Sequence, residues 1–151
     1  DSPYENSFLN CAYYSEDEFL QCFKDSKLSS LLSLNIQGIG SKFSNFQEFL
    51  NNFKYSMFSF DILALQEIHN VHDKDSFFIN GYHELIDKSR TSSNGGGGVA
   101  FYVSNVIKFK ILEELSIFHD KIFESIFIEA ELPDNTKIIV GNVYRSPSLL
   151  H

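Results

Sequence analysis

Leu31-Leu32-Ser33-Leu34-Asn35-Ile36, then Gly38 and Gly40, then Phe46, Phe49, Leu50 and Phe53, then Ile62-Leu63-Ala64-Leu65-Gln66-Glu67: this stretch decides the fold. The first run is apolar apart from Ser33 and Asn35, the pattern of a strand buried on both faces. The two glycines end it. Ser44 and Gln47 form a capping-box pair, and the apolar residues that follow recur at i, i+3, i+4 and i+7, which predicts an amphipathic helix ending near Lys54. Ile62 to Leu65 is a second short buried strand. Strand, helix, strand in this order is a βαβ unit, with parallel strands and a right-handed crossover. Its two carboxyl ends open on one edge of the sheet, where ligands bind in open α/β folds.

Outward from this unit the pattern changes in both directions. Residues 1–28 hold six acids (Asp1, Glu5, Glu16, Asp17, Glu18 and Asp25) against Lys24 and Lys27. They read as an acidic tail with one short helix, opened by a Ser15–Glu18 capping box and carrying Phe19, Leu20 and Phe23 at helical spacing. Residues 29–151 are the domain proper. Its second half reads as strands: Tyr82 to Ile86, Val99 to Val103, Val106 to Leu112, and Ile126, Ile128, Ala130 and Leu132 alternating with Phe127, Glu129 and Glu131 at period two. Pro133, Asp134 and Asn135 make a turn into a returning strand over Thr136 to Tyr144. The fold class is α/β, with antiparallel strands after one βαβ unit.

The bulk numbers set bounds. The chain has 151 residues, suited to one domain, with 43% hydrophobic and 15% aromatic residues, so it is not a disordered sequence. No apolar run approaches the ~20 residues of a membrane helix, so no membrane partner is expected. Asp1 to Asn10 lacks the basic start and apolar stretch of a signal peptide. Two cysteines, Cys11 and Cys22, read as free thiols of an intracellular protein. The net charge of −8 argues against coating nucleic acid through bulk charge, since that affinity rests on Lys and Arg. It is compatible with an enzyme that holds a metal through carboxylates and touches few phosphates.

Chemistry concentrates where the βαβ unit opens. Asn35 ends the first strand, and Gln66 and Glu67 end the second, so an amide and a carboxylate share one rim. A carboxylate there suits Mg²⁺, which takes one or two protein oxygens and keeps several waters. The bland alternatives are a turn asparagine and a solvated loop acid. The Gly95–Gly98 run lacks the following helix that a phosphate cradle needs, and reads as a flexible entry into a strand. His69 and His72 follow Glu67 without the further ligands that zinc requires. Asn142 and Tyr144 share one face of the last strand and point to a phosphate oxygen or, as plainly, to a core. Arg145 falls on the other face or in the turn at Pro147.

Taken together and in order, Leu32-Ser33-Leu34-Asn35-Ile36, Asp61 to Glu67, Asn80-Gly81-Tyr82, Gly96 to Val103, Glu124-Ser125 and Asn142-Val143-Tyr144-Arg145-Ser146-Pro147 resemble the endonuclease/exonuclease/phosphatase superfamily. The closest likeness is to the apurinic-type endonuclease domain of non-LTR (LINE-type) retrotransposons. It covers about Leu28 to Ser148. The resemblance implies a four-layer α/β sandwich, of which this chain is the N-terminal part, and hydrolysis of a DNA phosphodiester with Mg²⁺ or Mn²⁺. It implies Asn35, Glu67 and Tyr144 as catalytic residues, with Glu67 on the metal, and Asn142 and Arg145 as substrate-binding residues. It further implies DNA as partner, a downstream reverse transcriptase domain in the same polyprotein, and a nuclear place of action. In the family an Asp-x-Asn segment, a further aspartate and a Ser-Asp-His follow the Tyr motif. His151 comes too soon after Pro147 to stand for that histidine, so the expectation is a catalytically incomplete domain whose last strand lacks a partner sheet. Two other functions stay open: a phosphoesterase of the same superfamily acting on sugar or lipid phosphates, and a non-catalytic interaction domain that keeps the fold.

Overall fold

The computed structural model describes residues 12–89, 96–119 and 122–145. The acidic residues ahead of Ala12, Cys11, Arg90, Gly95, the Ser146–Pro147 pair and His151 lie outside these. Helix α1 (Glu16–Phe23) opens on its capping box, Ser15 Oγ accepting from the Glu18 N–H and the Glu18 carboxylate from the Ser15 N–H. The helix is tied to the domain that follows. Phe19 packs edge-to-face on Phe53 and Phe58, with ring centroids 5.9 and 5.3 Å apart.

Strands β1 (Leu31–Asn35) and β2 (Ile62–Gln66) are parallel and joined through helix α2 (Ile39–Tyr55), with Leu31 opposite Ile62 and Asn35 opposite Gln66. Two details differ from the sequence reading. The helix begins at Ile39, with Gly38 as its N-cap, rather than at Ser44, and Ser44 and Gln47 fall inside it. Its first amides are capped by backbone instead of a side chain, Gly38 N–H donating to Glu67 O at 2.7 Å and Ile39 N–H to Ile68 O at 3.1 Å. Strand β1 is also not buried on both faces: it is an edge strand among the described residues, and Leu31 and Leu34 are exposed. An apolar run alone does not distinguish a central strand from an edge strand with one covered face.

The first sheet has the order β1-β2-β4-β3, with β4 (Val99–Val103) antiparallel to β2 and β3 (Ile86–Lys88) antiparallel to β4. The strand expected over Tyr82 to Ile86 starts only at Ile86. Tyr82 makes a single bridge to Ser104 and turns its hydroxyl inward to donate to Phe60 O at 2.7 Å. In the second sheet, β7 (Phe123–Glu131) pairs with β5 (Lys108–Ile111) and β6 (Phe118–His119), and along its whole length with β8 (Lys137–Arg145). All its pairs are antiparallel.

Period two then builds two cores from one strand. Leu63 and Leu65 of β2 face α2, in a cluster with Ile36, Ile39, Phe46 and Phe53. Ile62 and Ala64 face the second sheet, where they meet Val99, Phe101, Ile126, Ile128 and Ala130. The packing is helix on sheet on sheet. The last strand is therefore not left without a partner sheet, because Ile138 and Val140 of β8 pack into this second core. What it leaves open is its outward face, where Ile139 is 62% and Val143 45% exposed. Leu31 of β1 lines the same groove as Val143, and this exposed apolar edge favours association. We expect concentration-dependent elution ahead of a 17.3 kDa monomer in size-exclusion chromatography. A single monomer peak at every concentration would contradict this.

Candidate functional site

The rim forms where β1 and β2 end. Ile36 N–H donates to Gln66 O at 2.9 Å, which holds the two strand ends level. Asn35 is exposed there, and its Oδ1 accepts the Gln37 N–H at 3.2 Å, so the residue closes a turn while its amide group faces outward. Glu67 follows β2 in the left-handed region, φ 53°, flanked by Gln37 at 52° and His69 at 60°. Side chains avoid this region unless the surroundings impose it, and such positions gather at functional sites.

The imposition is visible on both sides of the Glu67–His69 loop. Toward α2, the loop's carbonyls cap the helix as described. Toward β4, Ile68 N–H donates to Gly98 O at 3.3 Å and His69 N–H to Gly97 O at 2.8 Å. This is the role of the glycine run, in place of a flexible entry into the strand. Gly98 has φ 83°, and a Cβ there would lie 2.8 Å from Ile68 Cγ1 and 3.3 Å from the His69 and Lys88 carbonyl oxygens. The His69 ring fits between two further glycines: a Cβ at Gly38 would sit 3.1 Å from its Nδ1, and one at Gly96 3.5 Å from its Nε2.

The second sheet reaches the same rim. Tyr144 of β8 donates its hydroxyl to Glu67 Oε1 at 3.0 Å. One turn of the pleat earlier, Asn142 is 2% exposed and fully engaged as a donor, its Nδ2 donating to Leu65 O at 2.9 Å and Ala100 O at 2.8 Å. Its Oδ1 accepts from Gln66 Nε2 at 2.6 Å. Asn142 therefore ties β8 to β2 and β4 from within the core, and has no N–H left to offer a substrate. Arg145 lies on the exposed phase of β8, opposite to that of Asn142 and Tyr144, so period two turns it away from the rim. Of the five residues singled out in the sequence, the structure brings Asn35, Glu67 and Tyr144 to one edge, places Asn142 beneath them, and sets Arg145 apart.

Beside Tyr144 lies a group that sequence reasoning left without a role. Glu124 of β7 stands directly opposite Tyr144 in the β7–β8 ladder, is fully buried, and accepts the Gly98 N–H on its Oε2. Its signal was in the alternation: Glu124 shares the inward phase of Ile126, Ile128 and Ala130, where an acid is out of place.

An open groove of about 440 Å³ runs past Ser33, Asn35, Gln66, Asn142 and Tyr144. A larger one, about 750 Å³, lies at the amino ends of the strands, among Lys24, Lys27, Met57 and Asp61. The chemistry decides between them. Asp61 is absorbed by the Ser30 N–H and hydroxyl, at 2.7 and 3.2 Å, whereas the rim carries the strained carboxylate and its tyrosine. Among the described residues no three of His, Cys, Asp and Glu converge as a metal cage. One half-buried carboxylate, Glu67, fits an ion that keeps most of its waters, as Mg²⁺ and Mn²⁺ do, and does not fit zinc.

Fold and rim together describe an α/β domain that gathers an amide, a carboxylate and a tyrosine at the carboxyl edge of its parallel strands. Residues 32–148 match the profile of the Endonuclease/Exonuclease/phosphatase family, and the chain belongs to that family. Among curated proteins, none matches the chain. No helix among the described residues is long and apolar enough to cross a membrane.

Proposed function

We propose that the chain is part of a metal-dependent DNA endonuclease domain of the kind carried by non-LTR (LINE-type) retrotransposons, which nicks target DNA so that a downstream reverse transcriptase domain can prime on it. The observation that carries the reading is the Tyr144 hydroxyl on the Glu67 carboxylate, joining two sheets at the carboxyl rim of the parallel strands. Glu67 would hold Mg²⁺ or Mn²⁺ through its carboxylate. A divalent ion there supplies Lewis-acid stabilisation to the phosphate and to the leaving oxygen. Asn35, exposed across the rim, is placed to donate its amide to a phosphate oxygen, and Tyr144 to orient Glu67 and meet the same phosphate. Lys42 lines a groove with Asn35 and offers a cation to the DNA backbone. Action on DNA places the protein in the nucleus at that step.

The roles of orienting the attacking water and taking its proton need a further carboxylate or imidazole at the rim. Among the described residues no three His, Cys, Asp or Glu side chains converge at one point; on the proposed reading we expect little hydrolysis by these 151 residues alone. The test is nicking of supercoiled plasmid with Mg²⁺ or Mn²⁺, by this chain and by a longer protein of the same reading frame, each beside its Glu67→Ala variant. We expect nicking by the longer protein only, lost in its Glu67→Ala variant. Hydrolysis confined to sugar or lipid phosphates would move the substrate within the family. Metal binding by neither protein would leave an interaction domain.

A further inference from the structure

We propose that Glu124 is a positioning residue for the rim, holding Glu67 in its left-handed conformation through the glycine run; this rests on the reading of Glu67 given above. The connections are short and continuous. The Glu124 carboxyl accepts the Gly98 N–H, the Gly98 carbonyl accepts Ile68 N–H, and the neighbouring Gly97 carbonyl accepts His69 N–H. These two amides belong to the residues that follow Glu67. From the other side, the Glu67 and Ile68 carbonyls are fixed by Gly38 and Ile39. The loop is thus held between the α2 terminus and the glycine run, and the glycine run is held by Glu124.

A carboxyl group in this position needs a reason. Its inward neighbours on β7, Ile126, Ile128 and Ala130, are all within 1% of full burial, and a polar group placed among them costs free energy unless it is satisfied. What it satisfies is an amide of a glycine at φ 83° in which no side chain fits, so the bond fixes a segment that packing alone cannot grip. Glu124 also stands opposite Tyr144, so the strand pair that delivers the tyrosine to Glu67 also delivers the anchor of Glu67's own loop. One ladder rung sets both partners of the site.

The experiment is amide hydrogen exchange on the wild-type chain and on Glu124→Gln, Glu124→Asp and Glu124→Ala, with Mn²⁺ titration of each. Gln keeps an acceptor of the same reach, and Asp withdraws it by one methylene. Losing the bond is expected to speed exchange at Ile68 and His69 by about tenfold in Asp and Ala, while Leu63 and Phe101 in the core stay near wild type and Gln remains within about threefold at every site. Mn²⁺ affinity follows the same order. If Ala does not fold, the contrast between Gln and Asp decides. Wild-type exchange at Ile68 and His69 in the Asp variant, or acceleration spread evenly over the core, overturns the proposal. If the wild type binds no Mn²⁺ while the exchange pattern holds, the metal reading of Glu67 fails and the positioning role of Glu124 stands.

Discussion

On the proposed function, replacing Glu67 by Gln is expected to abolish Mn²⁺ binding while leaving the melting temperature unchanged. That is the largest functional effect expected of any single substitution in this chain. The rim supplies one carboxylate, and the amide of Gln offers a hard cation one neutral oxygen in place of a charged pair. The loss should exceed about 100-fold, the upper end of what removing an outer partner of a metal ligand costs. Stability is spared because Gln Oε1 still accepts the Tyr144 hydroxyl and the backbone at φ 53° still carries an unbranched side chain. Tyr144→Phe is the companion. It removes the donor and leaves the carboxylate, so affinity should shift by no more than about tenfold. Electron paramagnetic resonance of free Mn²⁺ during titration reads both. Equal affinity in wild type and Glu67→Gln would send any bound ion to another part of the molecule and take Glu67 out of the site.

The sequence made the topology of the rim legible and left its supports hidden. Asn35 and Glu67 could be put on one edge because a βαβ unit brings two strand ends together whatever the side chains are, and Tyr144 on the side of Asn142 because the two share a strand phase. These are consequences of backbone periodicity. The start of α2 was misplaced because its cap comes from carbonyls of residues 67 and 68, about thirty positions downstream, and no local motif encodes a backbone partner so distant. The same holds for Gly97 and Gly98. A glycine run announces freedom of conformation, but only the neighbours Ile68 and His69 show which conformation is imposed. Asn142 was read as a ligand group because an inward-facing asparagine near a rim looks the same in sequence whether its amide meets a substrate or two carbonyls of the adjoining sheet. Burial separates the two, and burial depends on both sheets at once.

That distinction makes Asn142 the position of largest expected effect on stability. Asn142→Ala removes three bonds spanning β8, β2 and β4: the two it donates to the Leu65 and Ala100 carbonyls inside the core, and the one it accepts from Gln66, whose Nε2 keeps Ser33 Oγ and Ala64 O. Losing one such bond costs about 1 kcal/mol, and an unsatisfied buried group adds to it, so a loss of about 3 kcal/mol is expected in urea denaturation followed by circular dichroism. Asn142→Asp should cost at least as much despite its closer shape, since it turns an oxygen toward two carbonyl oxygens where the amide donated. Gln66→Ala removes the third bond together with the longer contacts of its Nε2 to Ser33 Oγ and Ala64 O, both 3.3 Å, and should cost about 1 kcal/mol. The double variant then separates scaffold from accident. If Asn142 and Gln66 act as one link between the sheets, the combined loss falls short of the sum by about the value of their shared bond. Full additivity would mean that the 2.6 Å contact contributes nothing of its own, and that Asn142 ties β8 to β2 and β4 through its two Nδ2 bonds alone.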